Sequence, residues 1–213
     1  MMKELKTTKK LDYLDKTCLV IDDFAPVTLQ NDLENIFRDG DIDWKYTDWT
    51  VEPKDWNNNP NILETPQLVH ISKQEDGVYD REHFYLQCSL VYLLQELLSC
   101  QINGIDRIKN NCLLQHPGFE NKFHPPHQDS TFPNRFTLIY YVSDSDGPTR
   151  LFKKKIPHLG FGEDNLKILK EVEPKKGRAM LFPSKLWHSG SCPTKHRSRF
   201  VNNIVFESRD LEL

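Results

Sequence analysis

Apolar residues recur at two different spacings along this chain, and each spacing predicts a different kind of structure. In the first half they repeat at helical spacing over residues 27–38 and 81–101, which predicts two amphipathic helices. Asn103-Gly104 has the residue types expected just after the second helix. Two short apolar runs, 18–21 and 68–71, predict strands beside these helices.

From Ile105 onward, short β-type runs alternate with turn pairs such as Pro117-Gly118 and Lys176-Gly177. Many short strands at this spacing favour packed antiparallel sheets. We therefore predict a mostly β fold with flanking helices, either a sandwich or a jelly roll, with the N-terminal helices packed on one sheet. The predicted strands are 111–115, 123–129, 136–142, 150–152, 178–182, 187–188 and 199–206.

The length of 213 residues, with 38% hydrophobic and 28% charged residues, predicts one globular domain over 1–213. Within it, the Lys-rich residues 1–17 are expected to fray. Residues 18–104 should supply the N-terminal helices and edge strands, and residues 105–207 should form the jelly-roll core that carries the chemistry.

Charge and cysteine content narrow the classes of function. The net charge is -3 and the basic residues are dispersed, so the chain has no evident nucleic-acid surface and no membrane-binding patch. No apolar run approaches the roughly 18 residues of a membrane span, and no signal peptide is recognisable. The five cysteines contain no CxxC pair. These features predict a cytoplasmic protein with reduced, buried thiols.

The β-rich half contains one histidine followed two residues later by an acid, His127-Gln128-Asp129. In an extended segment both side chains point to the same face and can take adjacent positions on one metal ion. With eight His and 31 acidic residues in 213, this spacing is expected about once by chance. The pair therefore needs support from the residues around it.

A metal site also needs a third ligand, and three histidines lie downstream of Asp129. His158 and His196 fall in charged loop segments, whereas His188 follows a buried-strand pattern and begins a new short strand. We select His188. Two histidines and one carboxylate leave open positions on the ion, as in non-heme Fe(II) oxygenases. The same set could instead hold Zn²⁺ for hydrolysis.

The last predicted strand places an arginine on the face that points into the core. A buried guanidinium requires an anion, and a dicarboxylate ligand would supply one because the guanidinium fork grips a carboxylate with two hydrogen bonds. Arg197 is the alternative on the same face, and a structural ion pair is the alternative role for Arg199. The inward face carries Arg199, Val201, Asn203 and Val205, and the opposite face, which could pack under the helices, carries Phe200, Ile204 and Phe206.

An aromatic stretch in the first half, with Trp44, Tyr46, Trp49 and Trp56 among Asn and Pro, has two interpretations. It could line a substrate groove. The interpretation we favour is a strand and loop that pack on the core.

Several motifs occur together in a recognisable order. They are His116-Pro117-Gly118, His127-Gln128-Asp129, the strand 136–142, the turn 146–152, the run 173–182, His188 and Arg199-Phe200. This ordered set, which spans roughly residues 111–206, resembles the 2-oxoglutarate- and Fe(II)-dependent dioxygenases of the prolyl-hydroxylase type and their phage-encoded relatives.

The resemblance implies that the fold is a double-stranded β-helix (jelly roll, cupin-like). It also implies that His127, Asp129 and His188 hold Fe(II). It further implies 2-oxoglutarate and O2 as cosubstrates, with CO2 and succinate formed as a substrate C–H bond is hydroxylated, and ascorbate as a candidate reductant. Halogenating relatives lack the carboxylate, so the presence of Asp129 favours hydroxylation.

The resemblance further implies that Arg199 binds the distal carboxylate of 2-oxoglutarate and that Tyr141 assists from the neighbouring strand. His116 stands where relatives have a tyrosine near the metal-proximal carboxylate, and a structural or surface role for it is an equal alternative. Thr137 and Ile139 share the face of Tyr141 and are expected to line the pocket.

The substrate stays open at this point. Peptidyl proline is the candidate that the resemblance suggests, but collagen-type prolyl hydroxylases have Lys where Arg199 stands, and substrate loops diverge around this core. Other protein side chains and small molecules are alternatives. A non-catalytic jelly-roll binding or structural protein and a Zn-dependent hydrolase with the same His/Asp/His set are the rival functions.

Overall fold

The computed structural model describes residues 11–14, 17–39, 42–51, 59–155 and 161–213. These residues form two α-helices, twelve strands and two short 3₁₀ turns. The elements are β1 (Leu11–Leu14), β2 (Cys18–Ile21), α1 (Val27–Arg38), β3 (Lys45–Thr47), β4 (Gln67–Gln74), β5 (Gly77–Val78), α2 (Arg81–Leu98), β6 (Ile102–Leu114), a 3₁₀ turn (Pro117–Phe119), β7 (Arg135–Tyr141), β8 (Thr149–Lys154), a 3₁₀ turn (Glu163–Asn165), β9 (Leu166–Val172), β10 (Ala179–Pro183), β11 (Trp187–Ser189) and β12 (Ser198–Ser208).

The strands form two antiparallel sheets. The major sheet has the order β1-β2-β10-β7-β12-β6-β4-β3, with β5 paired to β4, and the minor sheet has the order β11-β8-β9. The N-terminal strands therefore extend the major sheet at both edges, beyond the strands of the C-terminal half. This arrangement confirms the predicted mostly β fold of jelly-roll type.

The two faces of the major sheet bury different partners. Its outer face packs against α1 and α2, where Phe200, Ile204 and Phe206 join Leu33 and Leu94 in the largest apolar cluster. Its inner face packs against the minor sheet in a second cluster that contains Ile139, Tyr141, Leu151, Val172, Met180 and Val201. The alternation predicted for β12 is confirmed, because its even-numbered aromatic and aliphatic residues lie under the helices.

The end of α2 differs from the prediction. The helix ends at Leu98, and Ser99 adopts a left-handed φ of 51° just beyond it. Asn103-Gly104 does not end the helix. It lies inside β6, where Gly104 pairs with Glu207 of β12. The ladder with β12 begins at Ile102 and requires an extended backbone there, which the local turn signal could not indicate.

Two strand predictions in the second half were also incomplete. The predicted strand 123–129 contains only isolated bridges, Ile62 to Phe123 and His127 to His188, because Pro125 and Pro126 have no amide hydrogen to donate to a ladder. Strand β9 was not predicted. Its positions 167–169 are all exposed at the edge of the minor sheet, so it lacks the period-two pattern on which strand prediction depends.

Part of the sequence interpretation falls outside the described residues. The fraying predicted for residues 1–17 concerns mostly such residues, although Leu11–Leu14 do pair with β2. Trp56 and His158 also lie outside. Within the described ranges there is no helix with the length and hydropathy that a membrane span requires.

The packing of α2 on the major sheet gives a first prediction. Leu94 is completely buried in the largest cluster, so Leu94→Ala should lower the free energy of unfolding by about 2–5 kcal/mol through lost burial and a residual cavity. Urea denaturation followed by circular dichroism measures this change. The control is Tyr92→Ala on the same helix, which removes a side chain that is 65% exposed and should cost less than about 0.5 kcal/mol. Equal losses in both variants would contradict the assigned packing.

Candidate metal centre and cosubstrate site

A reciprocal pair of backbone hydrogen bonds joins the two histidines of the site. The amide of His127 donates to the carbonyl of His188, and the amide of His188 donates to the carbonyl of His127, each at 2.9 Å. Their ring centroids are consequently 4.3 Å apart. A loop residue that follows two prolines is in this way held against strand β11.

Asp129 completes the cluster, and its carboxylate is held from several sides. Its Oδ2 accepts hydrogen bonds from Thr137 Oγ1 at 2.9 Å and from Asn203 Nδ2 at 3.2 Å. Its Oδ1 accepts a hydrogen bond from Arg107 Nη2. The backbone amide of Asp129 donates to the carbonyl of Ser184 at 3.1 Å, which fixes the position of the residue in the loop.

The donor atoms of His127, Asp129 and His188 lie within 4.8 Å of one another. His188 Nε2 is 3.4 Å from Asp129 Oδ2, and His127 Nε2 is 3.9 Å from Asp129 Oδ1. His188 Nδ1 lies 3.1 Å from the carbonyl of Leu186, which can only accept, so Nδ1 carries the hydrogen and Nε2 has a free lone pair. Two imidazole nitrogens and one carboxylate oxygen form a donor set that suits Fe(II).

The charges around the cluster favour the protonation states that a metal requires. Burial and the neighbouring His188 lower the pKa of His127 below its usual range. Burial alone would raise the pKa of Asp129, but Arg107 and His188 outweigh it and hold that pKa well below the usual value. At neutral pH, His127 is therefore neutral and Asp129 is ionised, and both are ready to act as ligands.

Arg199 lies buried in the wall of the same cavity, with 3% of its surface exposed. Its Nε donates to the carbonyl of Gly147 at 2.6 Å and its Nη2 donates to Thr149 Oγ1 at 2.7 Å. No carboxylate in the described part of the chain forms a salt bridge with it. Because a guanidinium has five N–H donors, Arg199 retains donors for a bound anion. Arg197, the alternative, is exposed.

The two other predicted cosubstrate residues lie in different places. Tyr141 lies behind Arg199, with its ring centroid 5.6 Å from the guanidinium carbon, and its hydroxyl donates to Thr149 Oγ1 at 2.8 Å. His116 begins the first 3₁₀ turn, where its Nδ1 accepts from the amide of Gly118 at 3.1 Å. Neither is among the described residues that line the cavity. The structure therefore brings Tyr141 to Arg199 but does not bring His116 to the metal cluster.

The cavity that connects Arg199 with the His/Asp/His cluster has a volume of about 430 Å³. Ile139 lines the cavity as predicted. Thr137 does not line it, but it donates a hydrogen bond to Asp129, which does. The other lining residues fall into an aromatic and apolar group and a polar group. They include Val51, Leu113, Pro126, Phe161, Trp187 and Val201, and also Gln67, Arg107, Lys109, Asn111, His124, Thr149 and Asn203.

Sequence reasoning missed three polar residues of this site. Asn203, although placed on the inward face of β12, received no role, yet it donates to the metal-cluster carboxylate. Arg107, Lys109 and Asn111 occupy every second position of β6 and therefore share its inner face. This spacing of polar residues is the sequence pattern that could have identified them. Burial and the neighbouring Arg107 lower the pKa of Lys109 to about 8.

Asp146 was noted only as part of a turn, but it supports the loop beside Arg199. Its carboxylate accepts hydrogen bonds from the hydroxyl and amide of Thr194, the amides of Lys195 and His196, and His196 Nδ1. The next residue must be glycine, because a Cβ at Gly147 would lie 2.3 Å from the carbonyl oxygen of Ser191. The two residues together place the Gly147 carbonyl where Arg199 donates to it.

Comparison with protein families agrees with this geometry. The model of the 2OG-Fe(II) oxygenase superfamily matches residues 112–207. The second half of the chain is therefore similar to this superfamily. The matched range contains the three residues of the metal cluster together with Arg199 and Tyr141. Fe(II), 2-oxoglutarate and O2 are the cofactor and cosubstrates of the superfamily, as the sequence predicted, while the use of ascorbate stays a prediction.

Solved structures of the superfamily share the fold at low sequence identity. A prolyl-4-hydroxylase from Pseudomonas putida has a TM-score of 0.53 at 14% identity and covers 92% of this chain and 94% of its own. A Trichoplax adhaerens prolyl hydroxylase, solved with a peptide fragment of hypoxia inducible factor, has a TM-score of 0.56 at 13% identity and covers 91% and 84%. HygX from Streptomyces hygroscopicus, solved with nickel, 2-oxoglutarate and hygromycin B, has a TM-score of 0.54 at 10% identity and covers 93% and 86%. No curated protein matches this chain.

The support of the Gly147 turn by Asp146 predicts a dependence of stability on pH. The bonds to Thr194 and His196 outweigh burial and hold the pKa of Asp146 below its usual range. A lowered pKa in the folded state adds stability above the unfolded pKa of about 3.9, and this stability is lost as the pH falls through and below that value. Asp146→Asn should therefore be less stable than wild type at pH 7, and the difference should shrink below about pH 4.

Urea denaturation of both proteins at a series of pH values measures this difference directly. Asp32→Asn on α1, an exposed carboxylate, is the control and should give a curve parallel to that of wild type. A difference between wild type and Asp146→Asn that stays constant with pH would contradict the role given to the ionised carboxylate.

Proposed function

We propose that this enzyme hydroxylates a substrate C–H bond, with His127, Asp129 and His188 as the ligands of Fe(II) and Arg199 as the anchor of 2-oxoglutarate. One observation supports this most directly. Three metal-binding side chains converge in the same cavity as a buried arginine that no described carboxylate neutralises. A dicarboxylate that chelates the ion through its 2-oxo acid end and reaches Arg199 with its other end fits both features.

The residues around the cluster would hold the ligands in place. Thr137 and Asn203 orient the Asp129 carboxylate, and the Leu186 carbonyl fixes the tautomer of His188. When bound, Fe(II) supplies the activation of O2 that oxidative decarboxylation of 2-oxoglutarate and hydroxylation require. The protein's contribution is to hold the three donors aimed at one point.

The surroundings of Arg199 would likewise select 2-oxoglutarate. Two of its donors are committed to Gly147 and Thr149, so the orientation of the guanidinium is set before a ligand arrives. Tyr141 acts as a positioning residue, since its hydroxyl bonds to the same Thr149 Oγ1. A Zn-dependent hydrolase would give this buried guanidinium no anion, and we therefore do not favour that function.

The substrate is proposed only by class. Peptidyl proline is suggested by the prolyl hydroxylases that share this fold, whereas HygX was solved with hygromycin B, a small molecule. The fold thus accommodates both kinds of substrate, and the lining of this chain's own cavity has to decide between them. The five cysteines are all free and buried, which supports a reducing, cytoplasmic setting where Fe(II) is maintained.

Removal of the carboxylate tests the metal site. Asp129→Ala should lower Fe(II)-dependent formation of succinate from 2-oxoglutarate by about 100-fold or more, because the ion loses a charged ligand. The affinity for Mn(II), measured by calorimetry without O2, should fall in parallel. Asp32→Ala on α1 removes an exposed carboxylate as the control. Unchanged metal affinity in Asp129→Ala would overturn the ligand assignment.

Two substitutions of the arginine test the cosubstrate anchor. Arg199→Met should weaken the binding of 2-oxoglutarate by on the order of 30-fold or more, because the distal carboxylate loses a buried charge partner. Arg199→Lys should restore part of that affinity through its charge alone. Arg197→Met, in which the exposed alternative is removed, is the matched control. If Arg197→Met weakened binding and Arg199→Met did not, the anchor would be Arg197.

A further inference from the structure

We propose that Lys109 and Arg107 form a second anion site in this cavity, which binds a carboxylate or phosphate group of the substrate. The inference rests on the proposed function, because it assigns 2-oxoglutarate to Arg199 and the ion to the His/Asp/His cluster. It adds a chemical class for the substrate, which is a molecule that carries an anionic group near the C–H bond to be hydroxylated.

The first argument is the distance between the cations along the sheet. Lys109 is paired with Asn203, and Leu113 is paired with Arg199, in the register of β6 and β12. Four residues separate Lys109 from Leu113 on β6, which corresponds to about 13 Å at the rise of a strand. Asn203 donates to Asp129, so Lys109 lies at the level of the metal cluster. A 2-oxoglutarate anchored at Arg199 therefore leaves Lys109 available to another anion.

The second argument is the balance of charge. The proposed complex contains Fe(II), the carboxylate Asp129, the dianion 2-oxoglutarate and the cation Arg199, and these charges sum to zero when both histidines are neutral. Asp129 is the only acid among the described residues that line the cavity. Lys109 and Arg107 are therefore positive charges in excess, and an anionic substrate would compensate them.

The argument for a bound anion is stronger for Lys109 than for Arg107. No salt bridge joins it to a carboxylate within the described ranges, and its side chain lies in the cavity wall. Burial in the wall makes an uncompensated ammonium unfavourable, in agreement with its lowered pKa. A bound carboxylate or phosphate would remove this cost.

Arg107 is held at present by the metal-cluster carboxylate, since its Nη2 donates to Asp129 Oδ1 and, at 3.3 Å, to Asn203 Oδ1. Its Nε is buried and has no hydrogen-bond partner among the described residues. A divalent ion on Asp129 would compete with this guanidinium for the carboxylate. Arg107 would then be free to donate to a substrate anion beside Lys109.

A second cavity, which Arg107 also lines, does not supply a carboxylate that could neutralise Lys109. Besides Asp129 it is lined by three acids, of which Asp106 is paired with Arg135 and Asp76 accepts a hydrogen bond from the Tyr79 hydroxyl. Glu75 lines this second cavity, and Lys109 does not. The acids therefore offer no partner to Lys109.

The remaining wall indicates what the rest of the substrate would contact. Trp187 and Phe161 form an edge-to-face pair with ring centroids 4.9 Å apart, and both line the cavity with Pro126 and Val51. An apolar body beside an anionic group matches this combination. A neutral peptidyl proline would leave Lys109 without an anion.

Matched acid and amide probes test the inference without turnover. The protein is loaded with Mn(II) and 2-oxoglutarate in the absence of O2. The binding of proline is then compared with that of prolinamide, and the binding of N-acetylproline with that of its amide, by calorimetry and by tryptophan fluorescence. Inorganic phosphate and glycerol phosphate form the phosphate arm. We expect at least one anionic probe to bind about tenfold more tightly than its neutral counterpart, or, for phosphate, to bind measurably.

Three variants assign that preference to Lys109. Lys109→Met should abolish the preference for the anion, Lys109→Arg should retain most of it, and Lys167→Met, on an exposed position of β9, should leave it unchanged. Thermal unfolding checks that each variant is folded, and rescue by Lys109→Arg separates lost charge from lost structure. The carboxylate and phosphate arms distinguish an organic acid from an organic phosphate.

Each outcome has a definite meaning. If Lys109→Met weakens the binding of 2-oxoglutarate as strongly as Arg199→Met does, Lys109 holds the cosubstrate and the inference is overturned. It is also overturned if no anionic probe prefers wild type over Lys109→Met, or if wild type binds the amide probes as tightly as the matching acids. If wild type binds neither Mn(II) nor 2-oxoglutarate, it is the proposed function that fails, and that result is visible before any probe is added.

Discussion

The reciprocal backbone hydrogen bonds between His127 and His188 are the contact on which the rest of the site depends. They join a loop to the minor sheet at a single bridge, and they set the two imidazoles side by side. Asp129 then follows two residues later and is tied through its own amide to Ser184. Because all three donors are fixed by main-chain bonds, their convergence does not require long flexible side chains to become ordered around an ion.

Burial of charge is the second constraint. Among the described residues that line the cavity there are one carboxylate and three cations, and burial of such charges is tolerated only if partners are present. Asp129 has such partners in Thr137, Asn203 and Arg107. Arg199 has hydrogen-bond acceptors but forms no salt bridge with a carboxylate of the described residues. A bound anion would neutralise this buried charge.

The N-terminal half takes part in this arrangement through packing. The helices cover the outer face of the major sheet, so that the inner face of β12 and β6 can be committed to polar chemistry. The strands at both edges of the sheet come from this half as well. Thr50, Val51 and Gln67 also line the cavity, but none of the described aromatic residues of the stretch that begins at Trp44 does. Of its tryptophans within the described residues, Trp44 instead packs against Phe37 and Phe200 in the core.

The sequence by itself determined the class of fold, both helices and the two faces of β12, and it led to the three residues proposed as metal ligands, because these depend on local periodicity and on the order of short motifs. It could not determine which additional polar residues share the cavity. Arg107 and Lys109 are ordinary charged residues of a strand until the pairing of β6 with β12 places them beside Asn203. Tyr141 and His116 show the same limit, since both follow the motif order but only Tyr141 reaches Arg199. Contacts between residues far apart in the chain are set by sheet register and packing, and only the tertiary structure decides them.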